Sequence, residues 1–373
     1  MNTTLRSDAD KIIADAIHAV KPDEAVRRAL ENQYFSGKVI LVAAGKAAWQ
    51  MASAAHTCLG DRISSGIVIT KYDHVMGPIA NFECCEAGHP VPDENSFRST
   101  QKALDLVNGL TEEDTVLFLL SGGGSALFEK PLIPGEELQD ITRQLLSCGA
   151  DIVEINTIRK RLSAVKGGKF AKLCAPAQVY AVILSDILGD PLDMIASGPA
   201  CPDSSTATHA MVIAKKYNLV LSDAARSLLA EETPKKLSNV TTRITGSVRE
   251  LCTAAAASCK ALGYEPVILT DMLNCQAKEA GSFLASILKT HADSGKKLAF
   301  LAGGETVVQL TGKGLGGRNQ ELALSAAAGI DKVSGTAVFS VGSDGTDGPT
   351  DAAGGYADHE TAAALRSLGI DIY

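Results

Sequence analysis

The sequence predicts an α/β protein built on doubly wound, largely parallel sheets. Three observations carry this: apolar runs of strand length recur along the chain, helix-period patterns lie between them, and the strand-like runs stop at glycine clusters. Alternating β and α elements imply a parallel sheet, because parallel neighbours need a crossover that usually contains a helix. The clearest junction is Thr115–Leu120 running into Ser121-Gly122-Gly123-Gly124-Ser125; others lie at Gly45-Lys46, Gly303-Gly304-Glu305, 312–317 and Gly342-Ser343-Asp344. A glycine turn between strand and helix frees backbone N–H groups beside the positive end of the helix dipole, where an anion is held.

In chain order, an amphipathic pattern predicts a helix over 6–20, renewed over 22–32, then a strand at Val39–Ala44 and a helix from about Ala47. Further strands are expected at 67–70, Thr115–Leu120 and 179–185, with helical patterns such as 96–108 and 137–148 between them. The polar, proline-containing stretch 231–236 marks a junction, dividing the chain into domains 1–237 and 238–373. A second α/β series follows, with strands expected at 266–270, 298–301, 306–310 and Ala337–Val341.

With 373 residues, 46% of them apolar, the chain buries more than one core, in keeping with two domains. A net charge of −8 argues against nucleic acid or an anionic membrane as partner. Any anion site must then be a local gathering of Lys, Arg and N–H groups. Nine cysteines, an odd number with no C-x-x-C spacing, point to buried thiols in a reducing compartment. Residues 8–30 carry charges throughout and lack the apolar core of a signal peptide or membrane span, so a cytoplasmic location is expected. The oligomeric state is left open.

Several residues stand out as site candidates. Lys46 follows Gly45 at a predicted helix start, where a cation has the wrong sign for the dipole and a bound anion would reverse the cost; an exposed surface lysine is the plain alternative. Ser121, Gly122, Gly123, Gly124 and Ser125 fit a phosphate or carboxylate cradle, since residues without Cβ let the backbone approach closely. Asn156, Arg159, Lys160, Ser163 and Lys166 recur at helical spacing and would share one polar face, either solvated or turned to a ligand. Asp186 ends a predicted strand, where the carboxyl edge of an open sheet meets its ligand, and Asp190 follows in the turn.

The run Gly312-Lys313-Gly314-Leu315-Gly316-Gly317-Arg318 is formally G-x-G-x-x-G, but no acidic residue follows at the dinucleotide spacing. Arg318, a second cation at a helix start, argues instead for a phosphate beside Gly314, Gly316 and Gly317. Asp344 and Asp347, in a glycine-rich loop after Ala337–Val341, are hard oxygen ligands suited to Mg²⁺ carried in with a nucleotide.

Taken together, VAAGKAAWQMA, GHPVPDENS, LLSGGGSALFEKP, INTIRKRLSAVKGGKFA, SDILGDPLDMIASGP, LAGGETVVQLTGKGLGGRNQELAL and SVGSDGTDGPTDAAGG resemble the MOFRL-type glycerate 2-kinase family, some of whose members are labelled hydroxypyruvate reductases. The resemblance implies two α/β domains, the first a Rossmann-like doubly wound parallel sheet, with the active site in the interdomain cleft. It also implies ATP and Mg²⁺ as cofactors and D-glycerate phosphorylated at its 2-hydroxyl. The family's functional lysine, aspartate and arginine carry over to Lys46, Asp186 and Arg318. Two departures are visible: Cys275-Gln276-Ala277-Lys278 stands where the family shows Gly-Glu-Ala-Arg, and family members run on for some tens of residues, so a C-terminally shortened chain is expected. Two further readings remain: an NAD(P)H-dependent hydroxypyruvate reductase, and an inactive protein that binds sugar acids or nucleotides.

Overall fold

A computed structural model describes residues 2–185, 189–312 and 314–372. The chain forms two compact units, Lys21–Ser247 and Met1–Val20 together with Val248–Tyr373.

The first unit is built on a six-stranded sheet of β1 (Val39–Ala44), β2 (Ile63–Lys71), β3 (Phe82–Ala87), β4 (Thr115–Leu120), β5 (Gln178–Leu184) and β6 (Val240–Thr245). Their order is β3-β2-β1-β4-β5-β6, and every neighbouring pair is parallel. The central strands VILVAA and TVLFLL are buried along their whole length, as a strand covered on both faces must be. Their alternate residues divide between two cores. Ile40, Val42, Ala44, Val116, Phe118 and Leu120 meet Phe128 and Phe170 on one face. Leu41, Ala43, Leu117 and Leu119 meet Ala48, Met51 and Ala52 of the helix Ala48–Leu59 on the other.

Three aromatic rings lock the floor beneath the glycine loop: Phe118 and Phe170 have centroids 4.8 Å apart, and Phe128 stands edge-on to Phe170 at 5.1 Å. A separate helical core, with Ile141, Leu145, Ile158 and Leu162, joins the helices Gly135–Ser147 and Ile152–Leu162 to Ala207–Lys216 and Asp223–Leu229.

The second unit pairs β7 (Glu265–Leu273) in parallel with β8 (Leu298–Gly304) and β9 (Ala337–Val341) in antiparallel with β10 (Gly354–Asp358). The helices Ala277–His291 and Arg318–Gly329 form its core through Ala277, Ala280, Ala285, Leu322 and Ala326. The N-terminal helix Thr3–Val20 belongs here: Ser258 donates to Asp15 at 2.6 Å, and Tyr264 donates to Asp8 at 2.6 Å.

The structure departs from the sequence reading in its division into units and in the 306–310 segment. The division expected at 237/238 lies after β6, and the first twenty residues fold with the second unit. The cause is local: VTTRIT is a partly exposed edge strand, without the continuous apolar run that reveals a buried one. Residues 306–310 form no strand; Val307 makes one isolated bridge to Gln276 before the chain turns away. Among the described residues no helix is long and apolar enough to cross a membrane.

Candidate active site

Strand order reverses between β1 and β4, and the chain leaves these strands toward opposite faces of the sheet. Their departing turns part at the carboxyl edge and open the crevice in which open α/β sheets hold ligands. Gly45 and Lys46 lie on one side of it and Ser121–Ser125 on the other. The two turns are tied together: the Lys46 N–H donates to the Gly122 carbonyl at 2.8 Å, and the Ala47 N–H donates to Ser121 Oγ at 3.0 Å. Ser121 is buried and acts as a strut between the turns.

The N–H groups of Gly122 and Gly123 make no hydrogen bond among the described residues, and both residues are half-exposed. Gly123 has φ of 84°, and a Cβ there would stand 3.0 Å from the His89 ring and 3.1 Å from Lys46 Cγ. Glycine is required on both counts. Lys46 is exposed, and its ammonium has no partner among the described residues. The helix begins at Ala48 with Ala47 as N-cap, so Lys46 precedes the first turn and does not lie inside it as the sequence led us to expect.

The single helical face expected over Asn156–Lys166 does not form: the helix Ile152–Leu162 stops before Ser163 and Lys166, because Ser163 turns extended and bridges to Pro131. Asn156, Lys160, Ser163 and Lys166 are buried. Arg159 and Lys166 reach the glycine loop from behind, donating to the Ser125 carbonyl at 2.8 and 2.9 Å; Lys166 also donates to the Phe128 carbonyl at 3.0 Å. They complete the open carbonyls around the short helix Gly124–Leu127, as cations do at a helix C-terminus. Glu129, fully buried, balances them at 3.5 Å from Arg159 and 3.4 Å from Lys166. Burial pushes the Lys166 ammonium down to about 8 despite the Glu129 carboxylate. Asn156 accepts from Ser197 Oγ at 2.8 Å and so anchors a turn in which Ala196 and Ser197 hold φ of 50° and 60°. Strain of this kind costs about 1–3 kcal/mol per residue and gathers at functional loops.

Asp186 lies outside the described residues. Asp190 is half-buried with φ of 53°.

In the second unit, Arg318 is the first residue of its helix and pairs with Glu305. The carboxylate answers the cation there, where the sequence argued for a phosphate. Asp347 is buried, its carboxylate fully used: Oδ1 accepts from the backbone N–H and Nδ2 of Asn319, both at 3.0 Å, and Oδ2 from the backbone N–H and Nε2 of Gln320 at 2.9 and 3.0 Å. Burial pushes this carboxyl up, but the four donors outweigh it and hold it below the usual carboxylate range. Asp347 therefore caps the helix and leaves no lone pair aimed at a metal, contrary to expectation. Gly317 makes room for it, since a Cβ there would stand 2.2 Å from the carboxylate carbon. Gly314 and Gly316 are exposed and face open space. No strand runs directly into the 312–317 segment, so the G-x-G-x-x-G is not the turn of a dinucleotide fold.

Asp344 is exposed, with Oδ1 accepting the Thr346 N–H at 3.1 Å and Oδ2 open. Among the described residues no group of three or more His, Cys, Asp or Glu gathers in metal-binding fashion. His89, two residues past β3, and Lys71, the last residue of β2, lie by the same carboxyl edge and were not singled out from the sequence. Their signal, a basic residue at the end of a strand, was readable for β2 but hidden for β3, a strand the sequence pattern did not reveal.

Comparison with known proteins agrees with this architecture. The family described as "Domain of unknown function (DUF4147)" matches residues 8–230, and the MOFRL family matches residues 298–373. The D-glycerate 2-kinase of Thermotoga maritima is 51% identical over 99% of this chain and 90% of its own length. The glycerate 2-kinase of Pyrococcus horikoshii is 39% identical over 97% of this chain and 88% of its own length. The crystal structure of the Thermotoga maritima glycerate kinase superposes with a TM-score of 0.94, covering 99% of this chain and 91% of that one.

Proposed function

The chain belongs to the MOFRL-type glycerate 2-kinase family, and from that premise we propose that it transfers the γ-phosphoryl group of ATP to the 2-hydroxyl of D-glycerate, yielding 2-phosphoglycerate and ADP. The observation that carries the proposal is the near full-length match to relatives named for this activity. The anion-ready crevice of the first unit supports it independently of any name.

In this reaction the hydroxyl oxygen bonds to the γ-phosphorus while the bond to the bridging oxygen of ADP breaks. Little covalent chemistry falls to the protein, so positioning and charge neutralisation supply most of the rate. Lys46 and the Gly122 and Gly123 N–H groups hold an oxyanion at the switch point. Arg318, the cation at a helix start of the second unit, would bind phosphate in place of its pair with Glu305. Asp186 accepts the hydroxyl proton, the role its position after β5 suits. Arg159, Lys166 and Asn156 keep these loops in place without touching substrate. Asp190 in the first unit and Asp344 in the second are the carboxylates that could approach a Mg²⁺ carried in with ATP, which would shield the phosphate charge. The reading sets the reaction in the cytoplasm, supported by the odd cysteine count and the lack of paired spacing.

The test is to supply D-glycerate, ATP and Mg²⁺ and follow ADP release, with a parallel assay of hydroxypyruvate and NADH. ADP release that depends on D-glycerate is expected. Oxidation of NADH without ATP turnover would overturn the kinase reading, and silence in both assays would favour a binding protein.

A further inference from the structure

Four adjacent strands end around one point. Lys46 follows β1, Lys71 closes β2, His89 lies two residues past β3, and Gly123 follows β4. His89 Cδ2 and Nε2 lie 3.0 and 3.1 Å from the place a Gly123 Cβ would occupy, and Lys46 Cγ lies 3.1 Å from the same place. Neither the imidazole nor the Lys46 and Lys71 ammonium groups has a hydrogen-bond or ion-pair partner among the described residues. Asp93, four residues after His89, is taken by Tyr72 at 2.5 Å and by the Ser96 N–H at 2.9 Å. Three basic side chains thus share one crevice with two open N–H groups, and among the described residues no carboxylate pairs with any of the three.

We propose that Lys46, Lys71, His89 and the Gly122 and Gly123 N–H groups form a single oxyanion subsite for a substrate carboxylate or phosphate. The inference rests on the kinase reading for the two oxyanions available, the glycerate carboxylate and the phosphates of ATP. Filling the subsite brings a proton with it. Burial first and then the charges of Lys46 and Lys71 hold His89 below its ordinary value, which favours the neutral ring. An oxyanion cancels the lysine charges and accepts from Nε2, which favours the imidazolium. His89 therefore becomes a third cation only when an anion arrives, and affinity for that anion rises as the pH falls through the range in which His89 titrates.

The experiment is histidine-selective NMR of the full chain, with the His89 ring signals identified by their loss in His89→Gln. The protein is titrated across pH alone, with D-glycerate, with ATP, and with glycerol as a neutral control. The apparent pKa of His89 is expected to rise by about one to two pH units with one of the two acids and to stay put with glycerol. The acid that moves it identifies the group bound. In Lys71→Met the ring of the free protein is expected to titrate at higher pH, because one repelling charge is gone. A His89 signal indifferent to both acids, moved equally by glycerol, or unchanged by Lys71→Met overturns the subsite. ADP release measured on the same wild-type sample tests the kinase reading separately: turnover with an indifferent His89 removes only the subsite, and a responsive His89 without turnover removes only the kinase.

Discussion

Lys46 and Lys166 are both lysines at the Ser121–Ser125 loop, and burial gives them opposite work. Lys46 is exposed and has no partner among the described residues, free to meet a ligand; Lys166 is fully buried and bound to two carbonyls. Lys46→Ala is expected to lower kcat/KM by about 10²–10³, the scale of losing one preorganised charge stabiliser, with an unchanged circular dichroism spectrum. For Arg318→Ala a loss of about 10³ in kcat is expected. Its exposed pair with Glu305 holds little stability, so Tm should barely move.

Lys166 affects stability instead. Its folded pKa of about 8 lies below the ordinary 10.5, so between those values the unfolded chain binds a proton the folded chain does not, and stability rises with pH. The double variant Lys166→Met/Glu129→Gln removes the pair without stranding a charge and loses this gain. The unfolding free energy of wild type minus variant, from urea melts at pH 7.5 and 9.5, should therefore be larger at 9.5. A flat difference contradicts the assignment.

Sequence position made Lys46 legible, because a strand-to-helix junction locates a residue without knowledge of its neighbours. Helical spacing could not show that the helix stops at Leu162, nor that Arg159 and Lys166 face inward. That depends on Glu129 and the Ser125 carbonyl, contributed by a segment some thirty to forty positions earlier in the chain.

At the scale of elements, the glycine turns that looked alike in sequence divide into two kinds. The Ser121–Ser125 turn is open to ligand, with Gly122 and Gly123 N–H groups free and a rigid floor of Phe118, Phe128 and Phe170. The turn before Arg318 already has its anion, because Asp347 fills the helix N-terminus. Asp347→Ala should cost about 1–3 kcal/mol in chemical denaturation, for a lost cap and unmade hydrogen bonds. The Mg²⁺ concentration needed for half-maximal activity should stay unchanged. A strong rise in that requirement with unaltered stability would restore Asp347 as a metal ligand.

Strands β1 and β4 were legible end to end because burial on both faces demands an unbroken apolar run. The edge strands FECCEA and VTTRIT were not, since one exposed side admits Glu83, Glu86 and Arg243. Missing β6 displaced the domain boundary, and missing β3 hid His89.

At the scale of the whole molecule, an acidic chain of 373 residues carries a small basic crevice at the switch point of a parallel sheet. Low net affinity for polyanions and a local site for small ones follow from the same distribution of charge. The N-terminal helix folds with the second unit through Asp8 and Asp15, an association no local pattern announces because its partners stand more than 240 residues away. The central claim is that this molecule phosphorylates glycerate at one particular oxygen. Phosphorus and carbon NMR of the product formed from D-glycerate, ATP and Mg²⁺ tests it most directly. The account predicts phosphorus coupled to carbon 2, as in 2-phosphoglycerate; phosphorus coupled to carbon 3, or no phosphorylated glycerate at all, would contradict it.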